Sequence, residues 1–218
     1  LRPKDVVSGD YYWVNKINEE EIFFTVADCT GHGVPGAFMS LIGTSLLNEN
    51  IIEKRVGNPA EILNNMRDKI ITSLNHKNTA QETKDGMDIA LCKINIKTNT
   101  LEFAGANNPL VMIRDGELIH IKADYQPVAL HIGEKKSFTN HHIKLKKGDM
   151  LYIYTDGYKD QFGGEKGKKY MAPKFRKLLA SISDLNMKEQ KKKLADEFYR
   201  WKGNHDQIDD VCIMGVRV

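Results

Sequence analysis

The chain has 218 residues, of which 41% are hydrophobic and 28% charged, with a formal net charge of +3. That is enough chain to bury a substantial core, and too little charge to support nucleic-acid binding; the basic stretches around Lys166–Lys169 and Lys191–Lys193 read as solvated surface. Cys29, Cys92 and Cys212 are widely separated, which excludes a disulfide framework or thiolate zinc site and suits a reducing, cytoplasmic compartment.

In chain order, Tyr11–Ile17 and Glu21–Ala27 are predicted strands joined by the polar turn Asn18-Glu19-Glu20. A Gly-rich stretch, 28–33, leads into a predicted helix over Pro35–Lys54, with Phe38, Leu41, Ile42, Ser45 and Leu46 on one face. A second helix starts at Pro59, with Asn58 as N-cap and Glu61 completing a capping box. Its apolar face is Leu63, Met66, Ile70 and Leu74, and it runs to Asn75 as a neighbour of the first. The polar stretch Lys77–Gly86 is predicted to be a mobile loop.

Six strands with short turns follow: Asp88–Ile96, Leu101–Ala104, Leu110–Ile113, Leu118–Ile121, Thr139–Leu145 and Met150–Thr155. Helices over Pro173–Ser183 and Met187–Trp201 precede a last strand, Val211–Val218. Antiparallel strands joined by hairpins and bracketed by helix pairs indicate an α+β fold of two packed sheets, not a doubly wound one. No apolar run approaches the ~20 residues of a bilayer span and no signal peptide opens the chain, so membrane contact is not expected.

Aspartates recur at the ends of these strands. Asp10 follows Gly9, Asp28 closes the second strand, Asp156 follows the sixth strand of the second half and precedes Gly157, and Asp209-Asp210 precede the last strand. Turn chemistry explains any one of these as well as function does. Taken together, adjacent strands would gather several carboxylates, which repel and desolvate poorly unless cations lie between them. Oxygen-only ligation favours hard ions such as Mg²⁺ or Mn²⁺, and a pair of them suits hydrolysis of a phosphate ester.

On five segments the sequence resembles the SpoIIE-like bacterial branch of the PPM superfamily of metal-dependent serine/threonine protein phosphatases. They are Ser8-Gly9-Asp10-Tyr11-Tyr12-Trp13, Ala27–Ala37, Phe103–Pro109, Tyr154-Thr155-Asp156-Gly157 and Ile208-Asp209-Asp210-Val211. The resemblance implies an αββα sandwich with a metal site at one end. It implies that Asp28 bridges two Mn²⁺ or Mg²⁺ ions, that Asp156 and Asp209 complete the first site, and that Asp10 and the Cys29 carbonyl hold the second. Asp210 would be a neighbour only, and Asp160 matches a position that binds a third metal in some relatives. A water bridging the ions would attack the phosphorus.

The resemblance departs at Thr30, where eukaryotic members carry a histidine suggested as general acid. His32 is two places further on and is expected to shape the turn, leaving protonation to a metal-bound water. The Cys29 side chain is expected to be a small buried apolar group. Asn107 and Asn108 are read as a turn in preference to a lining of the substrate mouth.

The resemblance also implies a phosphorylated STAS-type anti-anti-sigma regulator as substrate, and helices over Pro35–Lys54 and Pro59–Asn75 as a regulatory switch. The start at Leu1, directly before a strand-like segment, suggests a single domain, 1–218, cut from the C-terminal part of a longer sensor protein. Two rivals are weaker. A GHKL-type ATPase is suggested by Asp28–Gly33 but lacks the upstream asparagine helix. A catalytically inactive phosphatase-fold binding module is opposed by the presence of all four carboxylates.

Overall fold

A computed structural model describes residues 1–74, 85–130 and 136–218. The loop predicted over 77–86 lies outside the described residues except for Asp85 and Gly86. The first sheet has five strands: β1 (Tyr11–Lys16), β2 (Glu21–Cys29), β3 (Met87–Asn95), β4 (Thr100–Ala106) and β7 (His141–Lys144), side by side in the order β1-β2-β3-β4-β7. The second has β5 (Leu110–Arg114), β6 (Glu117–Ile121), β8 (Met150–Tyr154) and β11 (Ile213–Arg217), ordered β11-β8-β5-β6. Every pairing within both sheets is antiparallel.

Side-chain alternation makes these two sheets the middle of a four-layer α+β sandwich. On β2, Phe23 faces one core and Phe24 the next; on β8, Leu151 and Ile153 face inward while Met150, Tyr152 and Tyr154 face outward. The core between the sheets joins Phe24, Val26, Ala90 and Cys92 to Leu110, Met112, Leu151 and Ile153. Strands buried on both faces explain why β2, β3 and β8 are nearly continuous apolar runs.

The outer face of the first sheet is covered by α1 (Gly33–Leu47) and α2 (Pro59–Leu74), through Met39, Leu46, Leu47, Ile62, Leu63 and Met66. α1 continues as a π-helical stretch, Asn48–Glu53, so the helix predicted over Pro35–Lys54 changes its winding in the last third. At the N-terminus of α2, Asn58 Oδ1 accepts the Ala60 and Glu61 N–H groups at 2.9 and 3.2 Å; among the described residues the Glu61 side chain makes no return bond to the Asn58 N–H, so the expected capping box is half formed.

The predicted apolar face of α1 is corrected. Phe38 and Leu41 are 64% and 67% exposed, whereas the buried face is Gly36, Met39, Gly43, Leu46 and Leu47. Two glycines mark where the helix approaches its neighbours too closely for larger side chains; counting hydrophobes alone rotates the face toward Phe38 and Leu41, although Leu46 is buried and Ile42 packs against the core as expected.

The second sheet is covered by α4 (Ala172–Ile182) and α5 (Met187–Lys202), with Phe175, Leu179 and Phe198 on Tyr152, Tyr154 and Val111. Asn186 and Glu189 form a reciprocal capping box at the start of α5. A one-turn helix, α3 (Gly157–Asp160), and a short ribbon of β9 (Phe162–Gly163) and β10 (Lys168–Lys169) were not predicted. Among the described residues no helix is long and apolar enough to cross a membrane.

One polar pair braces the end of the second sheet. Asp149, 1% exposed, accepts Arg114 Nε and Nη2 at 2.8 and 2.6 Å and the Lys146 N–H at 2.8 Å. Burial alone would raise its carboxyl, but these donors hold it below the ordinary value. Arg114→Ala would strand that carboxylate, costing about 3 kcal/mol in urea unfolding at pH 7. Because the folded value is depressed, the contribution is present above the unfolded value of 3.8 and is lost as pH falls through the lower folded value, so the deficit should close in acid. A constant deficit down to pH 3 would show that packing, not charge, is lost.

Candidate metal centre

The carboxylates come from the same end of both sheets. Asp10 immediately precedes β1, and Asp28 is the penultimate residue of β2; the two strands are paired, with Tyr11 opposite Ala27. Asp156 follows β8 by one residue and Asp209 precedes β11, which pairs with β8 through Ile213 and Tyr154. A hydroxyl relay joins the sheets. Thr155 Oγ1 accepts the Cys212 N–H at 2.9 Å and donates to Asp10 Oδ2 at 2.6 Å.

Asp28, Cys29, Asp156 and Asp209 line a cavity of about 400 Å³, with Thr30, Gly31 and His32 on its rim. Asp10 is 3% exposed and sits behind that lining. Burial, followed by the charges of Asp10, Asp156, Asp209 and Asp88, pushes the Asp28 carboxyl far above the ordinary range. Burial likewise raises Asp10 to about 7, with the Thr155 hydroxyl opposing it and Asp210, Asp209 and Asp156 adding to it. Asp209 is raised by burial first.

Such a cluster gathers desolvated carboxylates with little counter-charge, Lys159 lying 3.9 Å from Asp156 at its edge. Among the described residues no three His, Cys, Asp or Glu side chains already stand close enough to ligate one ion. Mutual repulsion and desolvation oppose tighter convergence, and a divalent cation would relieve both. The donor set is oxygen only, which fits Mg²⁺ or Mn²⁺.

Hydrogen bonding separates turn-formers from free carboxylates. Asp156 occupies the N-cap position of α3 yet makes no side-chain cap bond, so turn chemistry does not account for it. Asp28 accepts no side-chain hydrogen bond among the described residues, whereas Asp209 Oδ1 accepts the Asp210 N–H at 2.8 Å. Asp210 is a structural anchor: its oxygens accept the Lys4 and Gly9 N–H groups at 2.7 and 2.8 Å, tying the segment before Asp10 to the segment after Asp209. Asp160, one turn beyond Asp156, faces Lys169 at 3.3 Å and Lys159 at 3.9 Å and is not part of the cavity lining.

The Cys29 thiol packs in the core beneath α1, and burial pushes it well above its ordinary value, which leaves it inert. His32 stands at the N-cap position of α1 without capping it; Nδ1 bonds Asp5 at 2.7 Å, and Nε2 lies 3.1 Å from Lys4 Nζ. Thr30 is pinned to Gly86, its N–H donating to the Gly86 carbonyl and its hydroxyl accepting the Gly86 N–H.

Sequence reasoning missed Asp88. It lies directly opposite Asp28 in the β2–β3 register and lines the same cavity. Burial raises its carboxyl while the Asn107 amide opposes the rise. Asn107 donates to Asp88 Oδ1 at 2.8 Å and Asn108 to the Asp88 carbonyl at 2.9 Å. Asn107 itself adopts φ 57°, a left-handed turn conformation asparagine tolerates. The pair therefore forms the expected turn and also lines a cleft beside the cavity. Arg67 of α2 steadies this rim from behind, bonding Gln126, the Lys136 carbonyl and Asn64.

Known proteins share this arrangement of strands. The family model described as stage II sporulation protein E (SpoIIE) matches residues 18–218. Phosphoserine phosphatase RsbP of Bacillus subtilis is 22% identical over 216 residues, 97% of this chain and 49% of RsbP; the chain thus spans about half the length of the curated relative it matches. The SiaA-PP2C domain of Pseudomonas aeruginosa is 28% identical with a TM-score of 0.88, over 100% of this chain and 83% of that one. The PP2C phosphatase domain of SpoIIE from Bacillus subtilis, solved with a fragment of its regulatory domain, has the same fold at 20% identity, with a TM-score of 0.75 over 100% of this chain and 61% of that one.

Proposed function

The chain belongs to the SpoIIE family of PPM-type serine/threonine phosphatases, and from that membership we propose that it hydrolyses phosphoserine or phosphothreonine in a protein substrate with two Mn²⁺ or Mg²⁺ ions. The observation that carries this is the convergence of Asp28, Asp156 and Asp209 on one cavity, backed by buried Asp10. Asp28 would bridge the ions, Asp156 and Asp209 would complete one site, and Asp10 with the Cys29 carbonyl would hold the other. Once bound, the cations would supply an activated water and offset the charge of the phosphoryl group. Thr155 keeps Asp10 oriented, and Asp210 holds the two chain segments that carry Asp10 and Asp209 in place. For Asp160 a third, weaker site rests on the resemblance alone, since Lys169 and Lys159 face it and it stands outside the cavity lining.

The preferred substrate is a phosphorylated STAS-type anti-anti-sigma regulator in cytoplasmic bacterial signalling. Its support is the similarity to RsbP and to a solved structure of RsbU and RsbW domains of a Mycobacterium tuberculosis protein, at 18% identity with a TM-score of 0.74. Residues 1–218 would act as one domain under an upstream sensor, through α1 and α2.

With Mn²⁺, the chain should hydrolyse p-nitrophenyl phosphate and a phosphoserine peptide, and chelation should remove both activities. Asp156→Asn should lower turnover at least about 100-fold without unfolding the protein. Full activity after chelation, or in Asp156→Asn, would overturn the assignment; metal binding without turnover would indicate a binding module instead.

A further inference from the structure

Beside the metal cavity lies a second cleft, of about 530 Å³, which shares Asp88, Asp156 and Pro127 with it. The two hollows differ in their outer walls. Asp28 and Asp209 line only the first, whereas Lys159 of α3 and Arg176 of α4 line only the second. Tyr125, 95% exposed, stands at the mouth of the second.

The two cations are not equivalent. Lys159 already lies 3.9 Å from the carboxylates of Asp156 and Asp160. Arg176 is half-buried and, among the described residues, makes no hydrogen bond or ion pair. Its five N–H donors have no protein partner among the described residues and stay open to the cleft, and the shape that matches them is a planar carboxylate or a phosphate. The neighbourhood offers Arg176 more positive charge. His120 of β6 is held below its ordinary value first by burial and then by Arg176 and Lys122, with no carboxylate opposing them.

We propose that this cleft receives the substrate segment flanking the phosphorylated residue, and that Arg176 selects phosphoproteins with an aspartate or glutamate in that segment. This rests on the phosphatase reading. A phosphoryl group must sit where Asp28 and Asp209 are, in the first cavity. A chain leaving it across Asp88 and Asp156 enters the second, so Arg176 meets a neighbouring side chain and not the phosphate. Arg176 is thus a specificity-determining residue.

The test compares p-nitrophenyl phosphate with two phosphoserine peptides that differ only in carrying Asp or Lys on both flanks. The unmodified chain should prefer the acidic peptide about tenfold in kcat/KM, through KM, the worth of one charge-assisted hydrogen bond. Arg176→Ala should erase that preference while leaving p-nitrophenyl phosphate turnover within about twofold, and Arg176→Glu should invert the preference. An active enzyme without preference, or Arg176→Ala slowing all three substrates equally, would overturn the inference and leave the phosphatase reading standing. No hydrolysis of any substrate with Mn²⁺ would overturn both.

Discussion

Asp28→Asn is expected to reduce phosphatase activity at least about 100-fold and, in the same protein, to raise stability in the absence of metal. The two effects share one cause. Asp28 is desolvated and faces the charges of Asp10, Asp156, Asp209 and Asp88, so its ionised form is disfavoured in the folded chain. An amide keeps the shape and removes the charge. Relieving a carboxylate held for function should contribute about 0.5–2 kcal/mol in metal-free urea unfolding.

The pH dependence follows in sign. A carboxyl whose folded value is raised holds its proton longer folded than unfolded. Its contribution is therefore complete below the ordinary value of 3.8 and is lost as pH rises through the folded value, which is about 7 for Asp10 and also raised for Asp28. With chelator present, the stability advantage of Asp28→Asn should widen between pH 5.5 and 8.5. With saturating Mn²⁺ it should reverse, because only the unmodified protein gains full binding energy. Comparing the two proteins cancels contributions from titrating groups that do not face Asp28; Asp10, Asp156, Asp209 and Asp88 do face it, so the widening reports the cluster and not Asp28 alone. A variant less stable than its parent at every pH, or one retaining activity with Mn²⁺, would remove the charge-cluster account.

What could be read from residues alone was the set of strands and the acidic positions at their ends. Tyr11–Lys16, Met87–Asn95 and Met150–Tyr154 fall within a residue or two of expectation, because turn residues bound apolar runs on both sides. Asp88 escaped notice because its importance comes from register: only the pairing of β2 with β3 puts it opposite Asp28. An aspartate two residues after a glycine at a strand start met the same criterion as the other four and carried the available signal. Phe38 and Leu41 misled for another reason. The inward face of α1 is set by where its backbone must come close, and Gly36 and Gly43 carry that information through missing side chains. Asp156, by contrast, looked like a turn residue as much as a ligand, and its unused cap position is visible only in three dimensions.

Gly36→Ala should be damaging although it touches no carboxylate. On helix propensity alone, alanine in α1 should stabilise by about 1 kcal/mol. Packing opposes this. A methyl at Gly36 would fall on the Gly31 carbonyl oxygen and lie 2.8 Å from Gly9 Cα, while one at Gly9 would meet the same oxygen at 2.5 Å. These are backbone atoms, which cannot swing aside as a side chain can. α1 therefore presses its first turn directly onto the loop after Asp28 and the segment before Asp10. Overpacking there should cost about 1–3 kcal/mol, reversing the sign that propensity predicts. Any relaxation must move Gly9 or Gly31, and with them Asp10 and the Asp28–Cys29 end of β2. A displacement near 1 Å at a catalytic constellation costs about 100-fold in rate, so activity should fall further than stability. Gly57→Ala is the control: its methyl would meet only Lys93 Nζ, at 3.9 Å, and stability should change by less than about 0.5 kcal/mol. Activity and urea midpoints of the two variants, measured with saturating Mn²⁺, distinguish the cases. Were Gly36→Ala as stable and active as Gly57→Ala, the close contact between helix and loop would not be what holds the two sides of the site in register.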